Sequence, residues 1–187
     1  MKNGKKVTSK EKMSLYDQTA WIYNKRYGEI QEEKYRSILS KIVFEKADLI
    51  LDAGCGTGML LEKLSSKNTA IGIDFSKEML IIAKNKIKNS ILIQADLNSL
   101  PFKDNTFSKI FGVTVLQNIE YPQIAVRELV RVLKEKGLTI LSTLKKKLTK
   151  KELQELVKDT GLKEKEVYEV SEDIVIIAYK HSLSKKE

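Results

Sequence analysis

Three glycines at alternate positions lie in the first third of the 187-residue sequence, between an apolar segment and a stretch of helical periodicity. The apolar residues Leu49–Ala53 predict a buried strand that runs into Gly54, Gly56 and Gly58, and a helix is predicted over Gly58–Ser65. Glycines let the backbone turn sharply and approach a ligand, because they have no Cβ. A strand that feeds at once into a helix through such a turn is typical of α/β folds that bind a nucleotide-type ligand.

The same alternation of apolar strands and helices continues along the chain. Further helices are predicted over Ser76–Lys88 and Pro122–Lys136. Ser76 suits an N-cap, Pro122 suits the first helical position, and Gly137 suits the left-handed residue after the last turn. The predicted strands that follow the glycine turn are Ala70–Asp74, Ile91–Ala95, Lys109–Val113 and Leu138–Thr143.

The C-terminal part of the chain predicts one more helix and a hairpin. Thr149–Glu152 is a capping box that begins a helix, and Gly161 ends it. Strands are predicted at Glu166–Val170 and Ile174–Tyr179, and the tight turn between them permits only antiparallel pairing. The fold class predicted is therefore α/β, a doubly wound, Rossmann-like seven-stranded sheet with one antiparallel strand.

No internal repeat or low-complexity linker divides the sequence, so residues 1–187 predict a single domain. In the segment Gln31–Glu45 the apolar positions recur at helical spacing and predict a helix. We expect residues 1–45 to form a helical cover over a Rossmann-like core of residues 46–180.

Three carboxylates follow or precede the strand ends and indicate what kind of ligand binds. Asp74 ends the second strand, where a carboxylate accepts both hydroxyls of a ribose, and Asp96 follows the third strand, within reach of an adenine amine. Asp52 precedes the glycine turn, where it would repel a pyrophosphate but suits a cationic amino group. Met59 stands where the dinucleotide motif requires glycine or alanine, so the turn does not fit NAD. The alternative is that Asp52 and Asp96 only cap helices or turns.

These motifs together resemble the class I S-adenosylmethionine-dependent methyltransferases, of the small type related to quinone-biosynthesis and tRNA methyltransferases. The resemblance covers residues 45–145 and is specific for fold and cofactor, but it says little about the methyl acceptor. The stretches that carry it are Leu49–Leu60, Ile73–Phe75, Ala95–Leu97, Leu100–Phe107, Ile110–Ile119 and Val130–Gly137.

The resemblance implies S-adenosyl-L-methionine as cofactor, held along the ends of the first four strands. The methionine end is expected at the glycine turn and the fourth strand, the ribose at Asp74, and the adenine near Asp96. Met79 suits either adenine packing or the core. The expected cofactor-binding residues are Asp52, Gly54, Cys55, Gly56, Gly58, Asp74, Phe75, Met79, Asp96, Leu97 and Val113.

The sequence predicts no catalytic residue, because methyl transfer from a sulfonium mainly requires alignment of the nucleophile and exclusion of water. No Asn/Asp-Pro-Pro-Tyr motif follows the fourth strand, where Gly112–Asn118 stands instead, which disfavours methylation of exocyclic amines. Cys55, the only cysteine, lies inside the cofactor turn, which disfavours cytosine C5 chemistry.

The expected acceptor is RNA, with a protein or a small molecule as alternatives and a non-catalytic partner subunit as a further one. The formal net charge is +9 and lysines are dense in 145–151, although general lysine richness explains both equally well. Aromatic residues near the N-terminus suit either stacking on a flat acceptor or a hydrophobic seam. The expected substrate-binding residues are Tyr16, Tyr23, Lys145 and Lys147.

Composition excludes several other classes of protein. No apolar run reaches the roughly 18 residues of a membrane span, and one cysteine with one histidine leaves no set of ligands for a structural metal. We therefore expect a cytoplasmic protein that binds neither membrane nor metal. By analogy with small relatives that lack a lid, a small activator subunit is a further expected partner.

Overall fold

A computed structural model describes residues 9–66, 68–88 and 90–181, with side chains from residue 18 onward. Helices and strands alternate as the sequence predicts. The helices are α1 (Ser9–Leu39), α2 (Met59–Ser65), α3 (Lys77–Lys86), α4 (Pro122–Val132) and α5 (Lys150–Lys158). The strands are β1 (Leu49–Ala53), β2 (Thr69–Asp74), β3 (Ile91–Gln94), β4 (Phe107–Gly112), β5 (Leu133–Leu144), β6 (Leu162–Val170) and β7 (Asp173–Lys180).

The strands form one seven-stranded sheet in the order β3-β2-β1-β4-β5-β7-β6. Strands β1 to β5 pair in parallel, and β7 lies antiparallel between β5 and β6. The order reverses between β1 and β4, so the carboxyl ends of these strands border a crevice in which open α/β sheets bind ligands. The predicted fold, including its single antiparallel strand, is confirmed.

Helices cover both faces of the sheet, and each face has its own apolar core. On one face α4 and α5 bury residues such as Leu129 and Leu153 in one core with residues of β4, β5 and β7. On the other face α1, α2 and α3 bury residues such as Ile38, Leu61 and Leu80. Strands β1 and β4 between the two layers are almost entirely buried, as expected for a sheet that is covered on both sides, and in β4 the buried residues include Lys109.

Local sequence signals place several helix ends where they were predicted. The Ser76 side chain accepts from the Met79 backbone N–H at the start of α3, and Pro122 begins α4. Thr149 and Glu152 form the reciprocal capping box of α5. Gly161 has a φ of 81° shortly after that helix, which is the left-handed conformation that glycine adopts without strain.

Two predicted helix ends were wrong. Helix α1 begins before residue 31 and ends at Leu39 instead of Glu45, because a tight turn follows in which the Ile42 N–H donates to the Leu39 carbonyl. Helix α4 ends at Val132, and Gly137 lies within β5 because Leu133 already pairs with Phe107. The residue with positive φ is Lys136 instead.

Candidate active site

A cavity of about 1030 Å³, which includes space open to solvent, lies at the carboxyl ends of β1 to β4. Every one of these strands, or the turn that follows it, contributes to the wall, and α1 closes one side. Residues predicted to bind the cofactor that line the cavity are Gly54, Cys55, Gly56, Asp74, Phe75, Met79, Asp96, Leu97 and Val113.

The glycine turn folds tightly over the end of β2. The backbone N–H groups of Gly54 and Cys55 both donate to the Ile73 carbonyl at 2.8 Å. Gly54, Gly56 and Gly58 have φ values of 79°, 52° and 79°, so each adopts a conformation that side chains disfavour. A Cβ on Gly56 would meet no heavy atom within 4 Å, so the space beside Gly56 is open for a ligand.

The other two glycines of the turn serve packing. A Cβ on Gly58 would lie 2.6 Å from Ile87 Cδ1, so this glycine lets the start of α2 approach the end of α3. A Cβ on Gly54 would lie 2.5 Å from Val115 Cγ2, so this glycine lets the turn pack against the segment after β4. Gly58 itself does not line the cavity.

Asp74 at the end of β2 supports the glycine turn and faces the cavity. Its Oδ2 accepts the Gly56 N–H at 2.8 Å, and its Oδ1 accepts the Ser76 N–H at 2.9 Å. Asp74 therefore holds the glycine turn in place while its carboxylate stands in the cavity wall at the end of β2.

The third strand ends in a turn that the Asp96 side chain organises. Asp96 Oδ1 accepts the Asn98 backbone N–H at 2.9 Å and the Asn98 side-chain amide at 3.0 Å. Asp96 thus caps a turn, as one of the two interpretations of the sequence predicts, and it also lines the cavity. Leu97 and Met79 are buried beside it, and Phe75 is partly exposed, which provides apolar surface for a flat ring.

Asp52 lies behind the glycine turn and is not part of the cavity wall. The Leu61 N–H in the first turn of α2 donates to this carboxyl group, while its Oδ2 has no hydrogen-bond partner among the described residues. Burial and the nearby charge of Asp74 raise the pKa of Asp52 to about 8. Burial, followed by the charges of Asp52 and Asp74, also raises the pKa of the Cys55 thiol, which makes it a poor nucleophile.

Helix α1 forms one side of the cavity. Tyr23, Gln31 and Tyr35 line the cavity at intervals that place them on one helix face. Gln31 Nε2 donates to the Tyr23 hydroxyl at 3.3 Å, and Gln31 Oε1 is buried without a partner in the described part of the chain. Thr57 donates to Asn24 Oδ1 at 2.6 Å, which ties the helix to the glycine turn.

The predicted substrate-binding residues do not converge. Tyr23 lines the cavity, whereas Lys145 and Lys147 lie after β5 and outside the wall. Lys145 forms an ion pair with Glu169 at 2.8 Å, so its charge is already partly compensated. The side chain of Tyr16 lies outside the described residues.

Sequence reasoning missed several residues of the cavity wall. Thr114, Val115, Asn118 and Ile119 follow β4 in a turn and a short 3-10 helix that no pattern predicted. Gln31 and Tyr35 also line the cavity, whereas the sequence predicts only a helix over the segment that contains them. A polar Gln31 on the apolar face of the predicted helix was the one available signal.

Comparison with known proteins identifies the family. Residues 51–141 match the family model described as a methyltransferase domain. The chain is 37% identical over 140 residues to an uncharacterised protein of Methanocaldococcus jannaschii, a match that covers 71% of this chain and 53% of that protein. It is 38% identical over 119 residues to a malonyl-[acyl-carrier protein] O-methyltransferase of Buchnera aphidicola, covering 63% of this chain and 48% of the relative. The chain thus spans about half the length of these relatives.

The chain contains a class I methyltransferase domain. The predicted family is therefore confirmed, and with it S-adenosyl-L-methionine as the family's cofactor. Among solved structures, one chain of the complex between the Haloferax volcanii Trm112 methyltransferase activator and a protein assigned as a methyltransferase aligns with a TM-score of 0.82 at 14% identity. That match covers 95% of this chain and 99% of the other, and at this identity it shows the fold alone.

No helix in residues 9–66, 68–88 and 90–181 has the length and apolar character needed to cross a membrane. In the same residues, no group of three or more His, Cys, Asp or Glu side chains is placed to hold a metal ion.

Proposed function

We propose that the protein is a methyltransferase that binds S-adenosyl-L-methionine in this cavity and transfers its methyl group by in-line displacement. The cavity wall fits the cofactor, because the Asp74 carboxylate lies at the end of β2, where it suits a ribose, and the space beside Gly56 is open. When bound, the cofactor supplies a methyl group on a sulfonium, which is already an activated leaving group. The task left to the chain is to orient the reactants and to exclude water.

The residues of this chain would divide that task along the sheet edge. The glycine turn and Val113 would hold the methionine end, Asp74 the ribose, and the surface around Asp96 the adenine. Asp52 and Gly58 would act from behind the turn, Asp52 through the start of α2 and Gly58 by permitting close packing. None of the side chains around the cavity is assigned as a general base.

The acceptor that the geometry supports best is a small organic group, free or attached to a carrier. The observation that carries this proposal is the wall that α1 builds on the cavity with Tyr23, Gln31 and Tyr35. These three side chains lie in the same cavity as the residues proposed to hold the cofactor, so an acceptor placed against α1 would lie next to the methyl donor. The name of the Buchnera relative, an enzyme acting on malonyl-[acyl-carrier protein], points in the same direction.

RNA is the second candidate acceptor, and the charge of +9 favours it. Lys146, Lys147 and Lys150 lie near the carboxyl end of β5, on the same edge of the sheet as the cavity. If this cluster holds phosphates, replacing Lys145, Lys146, Lys147, Lys150 and Lys151 by serine weakens tRNA binding severalfold and flattens its salt dependence. Unchanged tRNA binding in that variant would show that the positive charge reflects only the lysine-rich composition of the chain.

A small activator subunit is a further proposed partner. The chain aligned from the Haloferax complex shares this fold and was solved with its activator. At the edge of the sheet, Ile91 of β3 is 54% exposed and Ile81 of α3 is 44% exposed, which offers an apolar strand edge to such a partner. A protein that stays monodisperse at high concentration when expressed alone would count against this partner.

Binding is tested by titrating the protein with S-adenosylhomocysteine in a calorimeter. We expect saturable binding that is lost in Asp74→Ala and in Gly56→Val, because the first removes the ribose acceptor and the second fills the open space. A folded wild-type protein that does not bind would refute the proposed function.

Turnover separates an enzyme from a catalytically inactive partner subunit. The protein is incubated with radiolabelled cofactor and cell extract, which is then separated into small-molecule, RNA and protein fractions. Label in the small-molecule fraction, or on a carrier from which mild hydrolysis releases it, supports the proposal, and label in RNA supports the second candidate. Cofactor binding without label in any fraction supports the partner subunit. Asp74→Ala is the control and transfers no label.

A further inference from the structure

A buried ion pair joins α1 to the far end of the chain beside the cavity. Lys34 Nζ lies 2.7 Å from Asp173 Oδ1, and the side chains of these residues are 1% and 0% exposed. Lys34 belongs to α1, and Asp173 begins β7. Burying two charges is unfavourable unless both are closely paired and hydrogen-bonded.

Both charged groups also bind Thr114, which is a residue of the cavity wall. Lys34 Nζ donates to Thr114 Oγ1, and that hydroxyl donates to Asp173 Oδ2 at 2.8 Å. The Thr114 N–H donates to Ser142 Oγ at 2.7 Å, and Ser142 donates to Asp173 Oδ2 at 2.7 Å. The Thr114 carbonyl accepts from Gln117 Nε2 at 2.6 Å. All hydrogen-bonding groups of Thr114 are therefore engaged.

Thr114 adopts a backbone conformation that threonine disfavours. Its φ is 56°, in the left-handed region, where a β-branched residue is an outlier. Such a conformation persists only when the surrounding contacts impose it, and it is found mostly at ligand clamps and active sites. Here it directs the chain from β4 into the wall formed by Val113, Thr114 and Val115.

We propose that Lys34 and Asp173 are positioning residues for cofactor binding. Their ion pair holds Thr114 in the left-handed conformation, and this fixes the end of the cavity where β4 meets α1. Cofactor affinity thereby depends on the docking of α1, whose Lys34 lies 80 residues from Thr114 in sequence. This inference rests on the proposed function, since it assigns these residues to the same cavity.

The chain supplies a matched control for a merely structural role. Lys109 and Asp48 form a second buried ion pair at the opposite ends of the strands, and neither residue lines the cavity. Lys34→Met and Lys109→Met each remove one buried charge and keep an unbranched side chain. We expect calorimetry to show about tenfold weaker S-adenosylhomocysteine binding for Lys34→Met and no change for Lys109→Met, both measured well below the melting temperature.

A rescue experiment tests how Lys34 acts. Glycine adopts a φ of 56° without strain, so it needs no ion pair to hold it there. We therefore expect Lys34→Met/Thr114→Gly to bind S-adenosylhomocysteine within about threefold of the wild type, while its melting temperature stays low. If glycine at this position does not restore affinity, or if both lysine variants weaken binding equally, the positioning role is refuted.

A second substitution keeps the proposal testable if Lys34→Met does not fold. Thr114→Val retains the ion pair and the side-chain shape but loses the hydroxyl, so we expect several-fold weaker binding. Affinity unchanged from the wild type in Thr114→Val would overturn the proposal. A folded wild type that does not bind at all refutes the proposed function instead, so the two failures are distinguishable.

Discussion

The two buried ion pairs of this protein lie at opposite edges of one sheet. Lys109 and Asp48 pair at the amino ends of β4 and β1, where Asp48 also accepts from Ser108 at 2.8 Å and from the Glu45 N–H at 2.7 Å. Lys34 and Asp173 pair at the carboxyl edge, where they bind Thr114. Both pairs join a strand to a segment distant in sequence, and both are largely buried, with side-chain exposures of 10% and 4% for Lys109 and Asp48 and of 1% and 0% for Lys34 and Asp173.

The difference lies in what else each pair contacts. The partners of Asp48 are a strand residue and the turn that precedes β1, so this pair fastens the chain where it enters the sheet. The partners of Asp173 include a strained residue of the cavity wall. In parallel α/β sheets ligands bind at the carboxyl edge, so the same chemistry contributes to stability at one edge and to stability and binding at the other.

The largest expected effect is the loss of stability on breaking either pair. Lys34→Met and Lys109→Met each leave a buried carboxylate uncompensated, and we expect the free energy of unfolding to fall by about 3–5 kcal/mol in both. Urea denaturation followed by circular dichroism measures it. As a control, Lys109→Met/Asp48→Leu removes both charges and recovers most of the loss. A loss below about 1 kcal/mol in either single variant would show that water compensates that charge.

The two edges also differ in how stability depends on pH. Burial and the charge of Asp74 raise the pKa of Asp52 from 3.8 to about 8 in the folded state. The folded protein then keeps a proton on Asp52 that the unfolded chain releases. The contribution of Asp52 to stability is therefore fully present below pH 3.8 and is lost as pH rises towards 8. Between pH 5 and 7 we expect a loss of about 2–3 kcal/mol relative to Asp52→Asn, at up to about 1.4 kcal/mol for each pH unit.

Asp48 at the other edge has the opposite dependence. Burial alone would raise its pKa, but the hydrogen bonds from Lys109, the Glu45 N–H and Ser108 outweigh burial and lower it below 3.8. Its contribution is therefore present above pH 3.8 and is lost as pH falls through the lowered value. Urea denaturation from pH 3 to 8 on wild type, Asp52→Asn and Asp48→Asn separates the two. An Asp52→Asn curve that runs parallel to the wild type above pH 5 would contradict the raised pKa.

A smaller effect is expected at two glycines that share a strained conformation but not a location. Gly56 and Gly161 have φ values of 52° and 81°, and a Cβ on either would meet nothing within 4 Å. Alanine at each should therefore lower stability alike, by about 1–2 kcal/mol. Only Gly56→Ala should also weaken S-adenosylhomocysteine binding, because its Cβ enters the open space of the cavity. Equal binding in both variants would show that the cofactor does not approach Gly56.

The fold and one half of the cavity follow from local sequence. Gly56, Asp74 and Phe75 were predicted because they stand directly after strands that apolar runs reveal, and parallel strands bring such positions to one edge. The end of α4 was wrong for a related reason. Residues 134–136 are polar and compatible with a helix, and only the long-range pairing of Leu133 with Phe107 places them in a strand.

The other half of the cavity depends on contacts that no local pattern encodes. A lysine in a helix usually lies exposed to solvent. Lys34 is buried instead, because α1 docks where Asp173 and Thr114 lie. The left-handed conformation of Thr114 is likewise imposed by partners from α1, β5 and β7. A single sequence shows which residues end the strands, but it does not show which helix face covers them.

The smallest expected effect sharpens the claim that buried contacts, and not surface charges, hold α1 in place. Glu32, two positions before Lys34 in the same helix, pairs with Lys63 of α2 at 2.8 Å, and these side chains are 41% and 34% exposed. Exposed ion pairs are screened by water and contribute up to about 1 kcal/mol. We expect Glu32→Gln to lower the free energy of unfolding by less than about 1 kcal/mol and to leave S-adenosylhomocysteine affinity unchanged. A loss of affinity in Glu32→Gln like that in Lys34→Met would mean that any loosening of α1 opens the cavity, and the buried ion pair would then have no special part in it.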